Sequence, residues 1–301
     1  MTVAKAYLID ASIYFFRHYF ALPDNWHSTE GYATNGVQGY TNWLLTLLQK
    51  QQPRYVATAH DESLGTGFRH QLFPAYKANR ALPDEALEFQ LRASREVAEI
   101  LGVAHFASHS HEADDIIGTL ANLARSNRCE PVIISRDKDL TQLLQPGECM
   151  WDFGSSEAND RAHYEAKLGI GLPQMADYLA LVGDPTDNIP GVPGIGPKTA
   201  VALLNHFADI DTLLANLDQL LNLPIRGASG IAQKLAPLEK QLQLTRQLTA
   251  IHCDAPLGVE ESQFDRALQW QGVDHKRFED FCHRMGLGRQ LLMRAGRLNG
   301  T

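Results

Sequence analysis

The chain lacks any apolar run near the ~20 residues that a helical membrane span requires, which excludes that class of protein. Cysteine is scarce: only Cys129, Cys149, Cys253 and Cys282 occur in 301 residues. None stand in C-x-x-C spacing, which argues against a zinc site or a disulfide framework and fits a reducing cytoplasm. The opening run M-T-V-A-K-A-Y-L-I-D holds too few apolar residues for a secretory leader. Low-complexity tracts are missing, and with 44% hydrophobic residues the chain is expected to fold. An excess of positive charge is missing too. The net charge of −8 weakens a nucleic-acid reading, for which a basic surface is the usual mark. There is no Walker A loop, dinucleotide fingerprint, Ser-His-Asp set or H-E-x-x-H zinc motif. The twelve histidines are dispersed, and His105, His109 and His111 read as structural or solvated.

Acidic residues are present in short, tight groups: Asp10, Asp61, Glu112/Asp114/Asp115, Asp137/Asp139 and Asp184/Asp187. Setting these nine aside leaves 26 of the 35 acids against 27 Lys and Arg, a balance of +1, so the negative charge is concentrated in them. Three groups follow apolar runs that read as buried strands: Ala6–Ile9, Tyr55–Thr58 and Pro131–Ile134. The ends of parallel strands border the crevice where α/β proteins bind ligands. Carboxylates gathered there repel one another unless cations hold them, and oxygen-only donors suit Mg²⁺ or Mn²⁺. Two such ions ~3.5–4 Å apart are suited to phosphodiester hydrolysis. Each group alone is an ordinary cap or turn; their ordered recurrence after strands points to a phosphoryl-transfer site.

Residues 1–180 alternate strand-like and helix-like segments, the pattern of a mostly parallel sheet flanked by helices. Further strands are expected at Val103–Phe106 and Glu148–Asp152, and helices at Val37–Lys50, Asp84–Leu101 and Ala113–Arg125. From 181 to 301 the strands give way to short helices, expected as a second domain. Between about 62 and 84 lies an aperiodic stretch carrying Arg69, Tyr76, Lys77 and Arg80, placed to reach over the acids. The stripe Tyr14–Phe15–Phe16 reads as core, with Arg17 nearer the site.

A second signal is G-V-P-G-I-G-P-K-T, residues 191–199, followed by a helical run. It fits a helix-hairpin-helix turn, in which glycines allow close backbone approach and main-chain N–H groups face a phosphate, with Lys198 adding charge. Such contacts grip a nucleic-acid backbone without reading its sequence.

These stretches together resemble the bacterial 5′ nuclease or flap endonuclease family, including the 5′→3′ exonuclease domain that DNA polymerase I carries. The resemblance rests on L-I-D-A-S-I-Y-F-F-R (8–17), F-R-H-Q-L-F-P-A-Y-K-A-N-R (68–80), E-A-D-D-I-I-G-T-L-A (112–121), D-K-D-L-T-Q-L-L (137–144) and L-A-L-V-G-D-P-T-D-N-I-P-G-V-P-G-I-G-P-K-T-A (179–200). Weaker similarity runs through L-P-I-R-G-A-S-G-I-A-Q-K-L (223–235). It implies a PIN-like α/β domain with a helical arch, a helix-hairpin-helix domain, and a nuclease expected to be free-standing and monomeric. Asp10, Asp61, Glu112, Asp114 and Asp115 would hold a first divalent ion, and Asp137, Asp139, Asp184 and Asp187 a second. Catalysis would rest on Asp10, Asp115, Lys77 and Arg80, the last two on the scissile phosphate. Tyr76 would stack on an unpaired base, and Arg17 and Arg69 would contact DNA. Gly191, Val192, Gly194, Ile195, Gly196, Lys198 and Thr199 would grip the duplex, with K⁺ bound at the turn. The expected partners are DNA flaps, nicks and junctions. The alternative is a junction-binding protein of impaired activity, against which the complete acid set speaks. The chain departs from the family pattern at Arg136 and His60.

Overall fold

The computed structural model describes residues 3–63, 65–225 and 227–298. Leu64 of the expected arch, Arg226 of the 223–235 stretch, and residues 1–2 and 299–301 lie outside the described residues. The first part runs β1 (Lys5–Asp10), α1 (Ala11–Ala21), α2 (Asn35–Gln51), β2 (Tyr55–Asp61), α3 (Phe68–Leu72), α4 (Glu85–Ile100), β3 (Ala104–Ser108), α5 (Ala113–Ser126), β4 (Glu130–Ile134), β5 (Cys149–Trp151) and β6 (Asn159–Asp160). The strands form one sheet in the order β3-β2-β1-β4-β5-β6, parallel except for β6. Side-chain alternation divides each central strand between two cores. Ile9, Val56, Val132 and Ile134 face α1, α2 and α4, whereas Leu8, Ala57 and Ile133 face α5. The sheet is therefore covered on both sides, as parallel sheets require.

The second part contains α6 (Arg161–Leu168), α7 (Met175–Val182), β7 (Gly183–Asp184), β8 (Ile189–Pro190), α8 (Pro197–Phe207), α9 (Ile210–Ala215), α10 (Ala228–Leu235) and α11 (Glu239–Thr249). Residues from Ile170 to Leu242 share a core of their own, around Met175, Leu181, Leu203 and Leu235. Strands β7 and β8 pair as a two-residue antiparallel ladder. Here backbone meets backbone: a Cβ on Gly191 would stand 2.2 Å from the Val182 carbonyl oxygen, and Gly183 takes φ +83°. Only glycine fits both places.

The last helices, α12 (Phe264–Leu268), α13 (His275–Arg284) and α14 (Arg289–Ala295), leave that core. Trp270, Phe278, Phe281, Met285 and Leu291 pack into the same core as Leu44, Leu47 and Val56, while Phe264 and Leu268 pack on the α5 side. The expectation of one C-terminal unit over 181–301 is thus corrected: the chain returns to the sheet after about residue 250. The physical reason is that α2 and α4 leave apolar surface that the Trp270–Leu298 helices cover. The arch expected at 62–84 contains a single five-residue helix, α3, among its described residues. No helix among the described residues is long and apolar enough to cross a membrane.

Trp270 is 7% exposed and its indole N–H donates to the Leu101 carbonyl at 2.8 Å. Trp270→Ala is expected to cost the sheet about 3–5 kcal/mol, read as faster amide exchange of β1 in urea. An unchanged β1 would show that the C-terminal helices fold on their own account.

Candidate active site

The strand order reverses between β1 and β4, and an open parallel sheet binds its ligands at the carboxyl end of such a point. Asp10 closes β1 there and caps α1: Ile13 N–H donates to Oδ1 at 3.2 Å and the Ser135 hydroxyl to Oδ2 at 3.0 Å. Ser135, one residue beyond β4, also accepts the Asp137 N–H at 3.0 Å, stitching the two strand ends together. Asp137 in turn accepts the Asp139 N–H at 2.9 Å. Asp61 closes β2, 3.4 Å from the Ala113 N–H at the start of α5. Glu112 caps α5, and Asp114 lies in its first turn, where the helix dipole favours negative charge. Asp184 ends β7, and Asp187 lies in the turn between β7 and β8. Glu112, Asp114, Asp139, Asp184 and Asp187 line one cleft of about 20 Å³ with Tyr76.

The electrostatics record the crowding. Burial pushes Asp10 up to about 7, with the Asp137 and Asp61 charges adding to it. Asp114 is raised well above the carboxylate range by burial and by Asp137, Asp10 and Glu112. Burial and Asp137 push Asp139 up to about 6. For Glu112 the burial penalty is outweighed by Lys77 and Arg69, and its carboxyl falls below its ordinary value.

Basic side chains reach into the cluster. Lys77 Nζ lies 2.5 Å from Glu112 Oε1 and 3.8 Å from Asp187 Oδ2. Arg80 donates to Asp187 Oδ1 at 2.6 Å. Lys138 lies 3.0 Å from Asp139 and 3.5 Å from Asp184. Among the described residues no three His, Cys, Asp or Glu side chains already enclose a metal site. The donor chemistry nonetheless fits divalent cations. The donors are hard oxygens, and the raised Asp10, Asp114 and Asp139 carry the mutual repulsion that an ion would relieve.

Four expectations are corrected. Asp115 is fully buried and its oxygens are already engaged. Arg69 grips it from both guanidinium nitrogens at 2.6 and 2.8 Å, and the Glu112 and His252 N–H groups donate at 3.0 and 2.9 Å. Burial raises the Asp115 carboxyl, but Arg69 more than offsets it and the net shift is downward. Four protein donors thus already occupy the Asp115 oxygens. Arg69 is correspondingly not a DNA contact: it is 4% exposed and also donates to the Leu248 and Ala250 carbonyls at 2.8 and 2.7 Å. Tyr76 is 2% exposed, so it has no free face for a base; its hydroxyl donates to Glu112 at 2.9 Å and Asp187 at 3.0 Å. Arg17 donates to Asp152 at 2.5 Å and to Ser155 at 3.1 Å, which commits it to the β5 side. The Val192 and Ile195 side chains are buried in the second core and anchor the hairpin, so that only their main chain is left to meet a duplex there.

Gly194, Gly196 and Lys198 of the same turn are exposed, with Gly196 capping α8 and Thr199 half-buried in its first turn. Arg136 is exposed. His60 is buried, 3.0 Å from the Thr58 hydroxyl, and burial lowers its imidazole to about 3, so it is neutral. Sequence reasoning missed Ser135 and Lys138. Lys138 had a signal, lying between the acids of D-K-D; Ser135 had only its place at a strand end.

The raised acids set a sign for pH dependence. A carboxyl raised on folding stabilises the native state while protonated and loses that contribution as pH climbs from its unfolded value. For Asp10 and Asp139 the loss falls between the ordinary aspartate value of 3.8 and about 7 and 6 respectively. In EDTA the melting temperature is therefore expected to be higher near about pH 5.5 than near about pH 8, by scanning fluorimetry. Added Mg²⁺ should raise it most at the higher pH, where protons no longer compete. A Mg²⁺ increment independent of pH would count against this electrostatic account.

Comparison with known proteins agrees with this geometry. Residues 5–169 match the family model for the N-terminal, resolvase-like domain of 5′-3′ exonucleases, and residues 171–275 that for their C-terminal SAM fold. A 5′-3′ exonuclease of Bacillus subtilis (strain 168) is 35% identical over 261 residues, 84% of this chain and 85% of that protein. DNA polymerase I of Pseudomonas aeruginosa is 38% identical over 262 residues; the match covers 86% of this chain and 28% of that longer protein. The bacteriophage T5 flap endonuclease, solved in a pseudo-enzyme–product complex with DNA and metal ions, has the same fold: TM-score 0.62, 21% identity, 97% of this chain and 100% of that one. The expected PIN-like sheet and helical second domain are thus the fold of the family, and the chain belongs to the 5′-3′ exonucleases.

Proposed function

We propose that the chain is a divalent-metal-dependent, structure-specific nuclease that hydrolyses DNA phosphodiesters at 5′ flaps and from 5′ ends, at single-strand/duplex junctions. The observation that carries this reading is one cleft at the sheet's switch point in which Glu112, Asp114, Asp139, Asp184 and Asp187 face the Lys77 and Arg80 side. The T5 neighbour's complex with DNA and metal ions supports it.

In this reading Asp10, Asp61, Glu112 and Asp114 hold one ion and Asp137, Asp139, Asp184 and Asp187 a second, Mg²⁺ or Mn²⁺. Asp115 acts on the first group indirectly, by fixing the start of α5 through Arg69. Bound there, the ions would lower the pKa of water and neutralise charge on the attacked phosphate. Lys77 and Arg80 then leave their carboxylate partners for the phosphate and stabilise the charge that grows on it. Ser135 keeps Asp10 oriented, and the single Tyr76 hydroxyl proton is shared between Glu112 and Asp187, bridging the two carboxylates. Gly191, Gly194 and Gly196 offer backbone to the duplex phosphates, assisted by Lys198 and Thr199. K⁺ at this turn belongs to the same proposal, as does a monomeric state; the Pro193 carbonyl there already accepts from Lys234 at 3.0 Å.

The test is cleavage of a labelled 5′-flap duplex. Mg²⁺ should give product at the junction, EDTA or Asp10→Asn should abolish it, and Lys77→Ala should lower kcat by roughly 10²–10³-fold. Tight DNA binding without cleavage in either Mg²⁺ or Mn²⁺ would make the chain a junction-binding protein instead.

A further inference from the structure

Two segments meet beside the acids: 73–80, which carries the basic clamp, and 184–190, which carries Asp184 and Asp187. Some of the bonds between them involve reacting groups. Arg80 and Tyr76 donate to the Asp187 carboxylate at 2.6 and 3.0 Å, and Lys77 stands 3.8 Å from it. If Asp187 takes an ion and Lys77 and Arg80 take a phosphate, these bonds are exchanged.

The remaining bonds use no such group. Asn188 Nδ2 donates to the Ala75 carbonyl at 2.7 Å, Asn79 Nδ2 donates to the Pro185 carbonyl at 3.0 Å, and Lys77 N–H donates to the Asp187 carbonyl at 2.9 Å. The two side-chain bonds run in opposite directions, one from each segment, and bracket Lys77. Lys77 itself takes φ +52°, a left-handed conformation that costs a lysine something and persists only where neighbours hold it. Asn188 is left-handed too, at φ +57°, a conformation asparagine tolerates well.

We propose that Asn79 and Asn188 are positioning residues of the nuclease reaction. Their amides fasten the Lys77–Arg80 segment to the Asp184–Asp187 turn by bonds that metal and phosphate do not compete for. They thereby keep Lys77 aimed at the acid cluster after its own carboxylate partners are taken. Both amides are exposed, so a purely structural role would show as a small change in stability and nothing more.

This inference rests on the nuclease reading, and the experiment separates the two. Asn79→Ala and Asn188→Gly, the latter keeping left-handed freedom while removing the amide, are compared with the wild type in single-turnover flap cleavage. Each is then repeated in a Lys77→Ala background. Each substitution should lower the cleavage rate roughly tenfold in the wild-type background, with DNA affinity in EDTA and melting temperature held. With Lys77 already gone, the same substitutions should cost under about twofold, because residues acting through one side chain are not additive. Asn188→Asp, which keeps the shape but not the donor, should behave as Asn188→Gly. Amide exchange at Lys77 should quicken in both glycine and aspartate variants. An active wild type with equal losses in both backgrounds, or with none, overturns the positioning role alone. A wild type that cleaves nothing overturns the nuclease reading and this role with it.

Discussion

Asp10 and Asp137, at the carboxyl ends of β1 and β4, and Asp114, in the first turn of α5, stand close enough for their charges to oppose one another. Much of the surrounding structure answers that repulsion. Lys77 sits on Glu112, Arg80 on Asp187, and Lys138 between Asp139 and Asp184. Of these pairs only Lys77–Glu112 is buried on both sides, so Lys77 matters more than the exposed Arg80 and Lys138, since open-surface pairs contribute little. In the proposed reaction, ions on the carboxylates would free Lys77 and Arg80 for a phosphate.

The pair that does not exchange is Arg69–Asp115. Its guanidinium joins three separated pieces of chain: α3, on which it lies, the start of α5, and the Leu248–Ala250 end of α11. Breaking a buried, hydrogen-bonded pair leaves an uncompensated charge, which is strongly destabilising. The segment next to Lys77, the start of the acid-bearing helix and the exit from the second domain are therefore held in one frame. The C-terminal helices reinforce it by returning to the sheet, so the second core is inserted between parts of the first.

What the sequence made legible follows from what each residue has to satisfy. Ala6–Ile9, Tyr55–Thr58 and Pro131–Ile134 were readable as strands because they are buried on both faces, and an apolar run then has no other good use. The observed strands contain all three. The third strand starts one residue later and ends two later than expected, at Ala104–Ser108, and is only half-buried, so its pattern was weaker. The acids were legible because they end those runs. Arg17, Arg69 and Tyr76 were misread as DNA contacts because a basic or aromatic residue near a site carries no mark of its partner. The acids that claim them, Asp152, Asp115, Glu112 and Asp187, lie 36 to 135 residues away in sequence. The return of α12–α14 to the sheet was hidden for a similar reason: a short amphipathic helix shows that it has an apolar face, not which core receives it.

The proposed reaction needs this crowded cluster to take two divalent ions. Its most direct measurement is Mn²⁺ binding to the metal-stripped protein by electron paramagnetic resonance. Two Mn²⁺ per chain with a spin-coupled spectrum are expected, as ions ~3.5–4 Å apart give, with loss of the coupling in Asp10→Asn. A single isolated ion, or two uncoupled ions unaffected by Asp10→Asn, would contradict it.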